Sequence, residues 1–295
     1  MTSAYNDTKE LFRKCGACSH TFAHLINREY DHPDHIYEEA TDTLAGGIFR
    51  EGHQCGMLWG AALATGAEAY RRADNVDEAS ALALAAATEL VASFEKDNHT
   101  LDCKEYTGVN MKRLDGILLL VAKNLLTGID NNKCYIMAEE WTPRAIEAGE
   151  KGLSSHQEGR LPSHNCATDM AKSLGASEAE SIMVAGFAGG LGLSGKGCGA
   201  LAVAVWLKTL DWLRQHPGKV PPMMRFPEVS KIIERFKEET AGKMRCSEIC
   251  GRHFGSVNDH SEYIEHGGCR DLMASITEAA SMNVRKDRRA ALAEA

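Results

Sequence analysis

The sequence of 295 residues contains no apolar run long enough to cross a membrane, and its N-terminal segment MTSAYNDTKELFRK lacks the apolar core of a signal peptide. The longest strongly apolar stretch is ILLLVA, residues 117–122, whereas a transmembrane helix needs about 20 such residues. We therefore expect a cytoplasmic protein without a membrane span, in a compartment that keeps thiols reduced.

The sequence also has no excess of positive charge. Its 33 Lys and Arg residues are outnumbered by 41 Asp and Glu residues, and the net charge is −8. Binding to nucleic acid depends on a basic surface, so we expect no nucleic-acid partner. A Ser-His-Asp set and an H-E-x-x-H motif cannot be recognised either, so the sequence indicates neither a serine hydrolase nor a zinc protease.

Runs of alternating β-branched residues, which would predict strands, are missing as well. Apolar residues instead recur at helical spacing in residues 77–97, 113–126, 200–213 and 227–240. Residues 177–180, SEAE, fit an N-cap followed by the acidic first turn of a helix. The predicted fold class is all-α.

Cysteine is the residue that the sequence has in excess, with ten copies. A disulfide framework is not expected in a reducing compartment, so the count favours metal binding or redox chemistry. The simplest alternative is that some of these cysteines are small buried apolar residues. The spacing of the cysteines is therefore needed to distinguish metal binding or redox chemistry from simple burial.

The chain contains the same glycine and cysteine pattern twice. Residues 46–56, GGIFREGHQCG, and residues 189–199, GGLGLSGKGCG, share G-G-x-x-x-x-G-x-x-C-G at an offset of 143 residues. The same offset places CKEYTG, residues 103–108, on CSEICG, residues 246–251. Two matches at one offset indicate an internal duplication.

We therefore predict two homologous helical domains, residues 1–150 and 151–295, packed about a pseudo-twofold axis. The join is predicted in the polar stretch 150–162, and the tail from Arg285 is predicted as an exposed or frayed helix end. Each half contains four cysteines in the same order, and we predict these eight as metal ligands: Cys18, Cys55, Cys103 and Cys134, then Cys166, Cys198, Cys246 and Cys269. Cys15 and Cys250 are left over.

The second glycine-rich stretch also matches two nucleotide-binding patterns, G-x-G-x-x-G and the start of a P-loop. Both patterns require a preceding strand, and the preceding residues look helical. The first copy replaces Gly192 by Phe49 and Lys196 by His53, which removes both matches. Phosphate binding is therefore disfavoured, and the shared feature is the glycine pair with its cysteine.

The residues after each of these cysteines predict a helix, so Cys55 and Cys198 are expected at helix N-termini. The positive end of a helix stabilises a thiolate, which makes both cysteines candidate catalytic residues. Glycine permits close backbone approach, and we predict that the paired glycines contribute to cofactor binding: Gly46, Gly47, Gly189 and Gly190. The alternative is a glycine-rich crossing of two helices with a buried cysteine.

These residues resemble the redox-active family named for its C…GCAxxG…C…C pattern. CGMLWG has Met57 in place of the small residue and keeps Gly60, whereas CGALAV keeps Ala200 and has Val203 in place of the last glycine. The resemblance covers most of the chain and implies a redox-active protein without specifying a reaction. A related module is similar to the part of split-Soret cytochromes that holds an iron–sulfur centre.

We therefore predict an iron–sulfur protein for electron transfer or redox catalysis, an oxidoreductase if it is an enzyme. Four thiolates suit iron–sulfur clusters or zinc, and structural zinc sites normally use tight C-x-x-C pairs. The alternatives are a metal-free thiol–disulfide oxidoreductase and a zinc-stabilised helical scaffold. The predicted partner is a redox protein or a small oxidant or reductant, and a homo-oligomer stays open.

Two sequence features near the N-terminus also bear on cofactor or metal binding. The segment CGACSH, residues 15–20, has one residue too many for the c-type haem motif C-x-x-C-H. His20 and His24 lie four residues apart, shortly after Cys18, and both are candidates to join a metal site.

Overall fold

The protein is an assembly of α-helices in a computed structural model that describes residues 7–155 and 164–281. Over these residues there is no strand, only one isolated bridge between Gln54 and Asp102. The predicted all-α class is confirmed. The helices of the described ranges are α1 Thr8–Cys15, α2 Cys18–Glu29, α3 His35–Ala40, α4 Gly56–Arg72, α5 Val76–Asn98, α6 Cys103–Thr107, α7 Leu114–Thr127, α8 Lys133–Leu153, α9 Cys166–Ser173, α10 Glu178–Met183, α11 Gly199–Gln215, α12 Pro227–Glu239, α13 Cys246–Cys250, α14 Val257–Glu265 and α15 Arg270–Ser281.

The order of elements repeats after α1. Helices α2 to α8 and α9 to α15 follow the same sequence of long and short elements, with a 3₁₀ turn after α3 (Thr41–Leu44) and another after α10 (Ala185–Phe187). A second 3₁₀ turn in the first repeat, Ile129–Asn131, lies between α7 and α8. The duplication seen in the sequence therefore extends to the secondary structure.

Local signals predicted the helix boundaries well. The four periodic stretches correspond to α5, α7, α11 and α12, each within two residues at either end. Ser177 caps α10 by accepting a hydrogen bond from the Glu180 N–H, and the Glu180 side chain accepts one from the Ser177 N–H. This reciprocal pair is the capping box, which fixes where the helix begins.

The two repeats share one continuous hydrophobic core. Helix α4 packs against α2 and α5 and also against α10, while α11 packs against α9 and α12 and also against α3. Close packing depends on small residues, since a Cβ added to Gly60 would overlap the backbone of Ser19, and one added to Gly66 would overlap Met183. The cross-repeat contacts α4–α10 and α11–α3 join equivalent pairs of helices.

The predicted division at residue 150 lies within α8, which ends at Leu153. Most of the predicted join, residues 156–163, and the tail from Arg285 lie outside the described residues. Within the described part of the chain, each helix is too short or too polar to cross a bilayer.

Candidate functional site

All eight predicted ligand cysteines lie where a helix begins. Cys55 and Cys198 are the N-cap residues of α4 and α11, as the sequence predicts. The other six occupy the first or second position of a helix or directly precede it: Cys18, Cys103, Cys134, Cys166, Cys246 and Cys269. Backbone N–H groups at a helix start have no partner within the helix, so they are available to sulfur.

The four cysteines of the first repeat meet at one cavity. Cys18, Cys55, Cys103 and Cys134 line a space of about 220 Å³, although up to 48 residues separate neighbours in the sequence. The remaining walls are mainly apolar and come from α1, α4, α6, α7 and α8; they include Phe12, Met57, Tyr106, Leu120 and Met137. The fold therefore brings together the four thiols that the sequence had only predicted as a set.

The equivalent cavity of the second repeat is nearly filled. Cys166, Cys198, Cys246 and Cys269 line a space of only about 20 Å³, together with Cys250, which has no counterpart in the first repeat. The Cys250 sulfur lies 3.8 Å from the sulfur of Cys246 and 3.7 Å from that of Cys269. His260 and Tyr263 also line this space.

The glycine-rich loop before each second cysteine is a left-handed turn. Gly46, Gly47, Ile48, Phe49 and Arg50 all have positive φ, between 48° and 78°. The second copy, residues 189–193, repeats these positive angles and the same backbone hydrogen bonds. A non-glycine residue in this region costs about 1–2 kcal/mol, so the surrounding structure has to hold the turn in place.

The two glycines of each pair have different roles. The first glycine donates its N–H to the first cysteine of its repeat, Gly46 to Cys18 and Gly189 to Cys166. The second glycine makes room for the returning chain, since a Cβ on Gly47 would overlap the backbone of His53. Gly190 is confined in the same way by Gly197. Of the four glycines predicted for cofactor binding, Gly46 lines the first cavity.

Hydrogen bonding distinguishes Cys18 from Cys55 in the first group. The Cys55 thiol donates to Cys18, which lowers the pKa of Cys18 despite its burial and raises that of Cys55. Burial raises the pKa of Cys103, and it raises the pKa of Cys134 to about 12. Within this group Cys18 is thus the cysteine whose pKa is lowered, and burial disfavours the thiolate at Cys103 and Cys134.

In the second group the thiolate lies on Cys250. Hydrogen bonds from Cys246 and Cys269 lower the pKa of Cys250, and the same bonds raise the pKa values of the two donors. Burial raises the pKa of Cys198 to about 11, against the opposing N–H groups of α11. Burial thus outweighs the helix N-terminus at Cys198, and the cysteine with the lowered pKa is Cys250, which was not among the eight predicted ligands.

The spacing of the thiols distinguishes the kinds of metal centre that fit. A tetrahedral zinc ion with Zn–S bonds of about 2.3 Å holds its four sulfurs about 3.8 Å apart. In residues 7–155 and 164–281, no three thiol sulfurs all lie within 4.8 Å of one another. The first cavity has a volume of about 220 Å³, whereas one water needs roughly 15 Å³. A cavity of this size suits a group of several atoms such as an iron–sulfur cluster.

The second cavity holds about one water, so a cluster does not fit there without movement of side chains. The predicted ligands Cys166, Cys198, Cys246 and Cys269 are near one another, but Cys250 lies among them. The two repeats thus present the same thiols in different surroundings.

The histidines near Cys18 do not line either cavity. His20 Nδ1 lies 3.2 Å from Asp42 Oδ1. Burial disfavours the charged imidazole, but hydrogen bonds to Asp42 and Cys15 outweigh it and raise the pKa of His20 to about 10. His24 Nδ1 lies 2.8 Å from Glu38 Oε2. Both histidines therefore contact carboxylates, and neither joins the two groups of predicted ligand cysteines.

Comparison with known proteins gives a match to each repeat. A family model described as "Putative redox-active protein (C_GCAxxG_C_C)" matches residues 17–140 and again residues 163–282. Each matched segment contains the four cysteines of one repeat, and Cys15 lies outside both. No curated protein and no solved structure matches the chain.

Proposed function

The chain belongs to the C_GCAxxG_C_C family of redox-active proteins, and we propose that its first repeat binds an iron–sulfur cluster through Cys18, Cys55, Cys103 and Cys134. One observation carries this proposal: four thiols from separate segments line a single, largely apolar cavity of about 220 Å³. Four cysteine ligands are the usual protein donors to such clusters.

A bound cluster supplies one-electron chemistry, and the chain's own residues determine how the site is held. The Gly46 N–H donates to the Cys18 sulfur and reduces its negative charge. Phe12, Met57 and Leu120 contribute apolar walls that limit access of water to the sulfurs. Hydrogen bonds to sulfur and exclusion of water are the two features through which a protein adjusts such a centre.

We also propose that the protein acts as an electron carrier or a redox enzyme. It would exchange electrons with a redox protein or with a small oxidant or reductant. The exposed apolar side chains of α7, which include Leu118 and Leu125, lie on the helix that supplies Leu120 to the cavity. An approaching partner would therefore reach the first repeat beside this helix.

The experiment compares two equivalent substitutions, Cys103→Ser and Cys246→Ser, one in each repeat. Each protein is purified without oxygen and reconstituted with iron and sulfide, and iron and acid-labile sulfide are measured per chain. The first variant should lose the cluster of the first repeat, whereas the second should retain it. Equal iron in Cys103→Ser and the unchanged protein would contradict the proposal.

The short sulfur distances of Cys250 favour a second candidate function, thiol–disulfide exchange in the second repeat. The Cys250 thiolate attacks one sulfur of a disulfide substrate, forms a mixed disulfide and releases one thiolate. The released thiolate takes the proton of Cys269, and the Cys269 sulfur then attacks the Cys250 sulfur and releases the second substrate thiolate, which leaves a Cys250–Cys269 disulfide. Two electrons and one proton pass from the two cysteines to the substrate disulfide, and water supplies the second proton, so that the substrate becomes two thiols.

Cys269 suits the second attack better than Cys246, which lies with Cys250 on the single-turn helix α13. The test is mass spectrometry of peptides after treatment with oxidised glutathione, a small linear disulfide. A Cys250–Cys269 bond should form in the unchanged protein and in Cys15→Ser, the control for a cysteine outside both groups. Its absence from the unchanged protein would exclude this second function.

A further inference from the structure

We propose that His24, His35 and Glu38 form a binding site for one divalent transition-metal ion, separate from the cysteines. His24 lies on α2, and the other two lie on α3. One donor atom from each, the Nδ1 or Nε2 of the histidines and an oxygen of Glu38, all lie within 4.8 Å of one another. It is the one group of three metal-donor side chains this compact within the described residues.

Two of the three distances between donor atoms are close to those of a coordination sphere. Glu38 Oε2 lies 2.8 Å from His24 Nδ1 and 3.6 Å from His35 Nδ1. Donors bound to an ion at about 2.1 Å lie about 3.0 Å apart in octahedral geometry and about 3.4 Å apart in tetrahedral geometry. An ion therefore needs only small shifts of these side chains, most of them in His35, whose side chain is 84% exposed.

The carboxylate is already oriented for this use. Glu38 is fully buried, and its Oε1 accepts hydrogen bonds from Asn27 Nδ2 and from the Asp34 N–H, both at 2.9 Å. These bonds fix Oε1 and direct Oε2 towards the two imidazoles. Hydrogen-bonded supports of this kind orient the ligands of metal sites.

The donor groups of the three side chains restrict which metal ions the site can bind. Two imidazoles and one carboxylate suit zinc, iron(II), cobalt, nickel or copper, whereas magnesium and calcium prefer oxygen donors throughout. Three protein ligands leave at least one coordination position for water or a small ligand, as in catalytic sites. The exposed side of His35 is where that position would face solvent.

The site belongs to the first repeat alone. At the offset of 143 residues, His35 and Glu38 correspond to Glu178 and Ser181, which do not provide an equivalent set. None of its three residues lines either thiol cavity. Its occupation therefore does not depend on the proposed iron–sulfur centre.

The experiment measures Co²⁺ binding by equilibrium dialysis without oxygen for the unchanged protein, His35→Ala and His32→Ala. His32 is the matched control, because it is an exposed histidine of the same turn and is not one of the three donors. We expect the unchanged protein and His32→Ala to bind one more Co²⁺ per chain than His35→Ala. The affinity lost in His35→Ala should be about 100-fold or more, since even supporting residues of metal sites contribute 10–100-fold.

Acid-labile sulfide after reconstitution should be the same in all three proteins, because only the proposed cluster contains sulfide, and this separates the site from the cysteines. Anomalous scattering from a Co²⁺-soaked crystal should place the ion between His24 and Glu38. The proposal is overturned if His35→Ala binds Co²⁺ with the stoichiometry and affinity of the unchanged protein, or if the anomalous peak lies only among sulfurs.

Discussion

Asp102 and Arg245 occupy equivalent positions of the two repeats, 143 residues apart, and their side chains form an ion pair with an N–O distance of 2.6 Å. Each residue directly precedes a predicted ligand cysteine, Cys103 or Cys246. Around a twofold axis, only residues close to the axis contact their own equivalents. Gln54 and Gly197, another pair at this offset, are also in contact. Both contacts support the predicted pseudo-twofold packing, which stays a prediction.

The first prediction concerns this ion pair. The Asp102 side chain is only 10% exposed, so Asp102→Asn should leave Arg245 with a weaker partner in a partly buried position. We expect the free energy of unfolding to fall by about 1–2 kcal/mol, which urea denaturation would measure. Asp115→Asn, at the exposed ion pair with Arg113, is the control and should cause no measurable change.

A second prediction tests the left-handed turn through Gly47→Ala. Gly47 has φ of +78°, and an added Cβ would overlap the backbone of His53. The control is Gly108→Ala, where φ is +67° and an added Cβ would have nothing within 4 Å. The control should lose about 1–2 kcal/mol of stability from backbone strain alone.

Gly47→Ala should lose more stability than the control, because overlap adds to strain. It should also retain less iron after reconstitution, since the turn positions the Gly46 N–H against the Cys18 sulfur. Equal stability losses in the two variants would show that the close approach to His53 is unimportant.

The third prediction is a pH dependence that comes from His260. This side chain is 2% exposed, and burial lowers its pKa from 6.5 to about 4. The unfolded chain therefore binds a proton at His260 between these values, whereas the folded chain does not. Stability contributed by the neutral imidazole is complete above pH 6.5 and falls as the pH drops towards 4.

Replacing His260 by Gln should flatten this part of the stability curve, measured as the urea midpoint at several pH values. The control substitution is His99→Gln. His99 lies at the end of α5 and does not line the cavity of the second thiol group. An unchanged slope between pH 6.5 and 4 in His260→Gln would mean that other groups cause the acid sensitivity.

The sequence was sufficient for the fold class and the repeat, because both follow from local patterns. Helical spacing marks α5 and α11 directly, and the duplicated Gly-Gly and Cys-Gly pairs are visible at one offset. The position of Cys55 and Cys198 at helix starts follows from the small, helix-forming residues after them.

The left-handed turn could not be predicted in the same way. Ile48 and Phe49 disfavour positive φ, and the conformation is held by contacts such as the hydrogen bond from the Phe49 N–H to the Thr43 carbonyl. The role of Cys250 was visible only in part: its i, i+4 spacing from Cys246 places both on one face of α13, whereas its distance to Cys269 depends on how α13 and α15 pack. The Asp102–Arg245 ion pair is indicated in the sequence, because residues of opposite charge occupy equivalent positions before two cysteines.

We propose that four thiols of the first repeat hold an iron–sulfur cluster, and the decisive measurement is the visible spectrum of the anaerobically purified protein. We expect a brown protein with sulfur-to-iron charge-transfer absorption that dithionite bleaches, and with iron and acid-labile sulfide in similar amounts per chain. A colourless protein that takes up no iron on anaerobic reconstitution would contradict it.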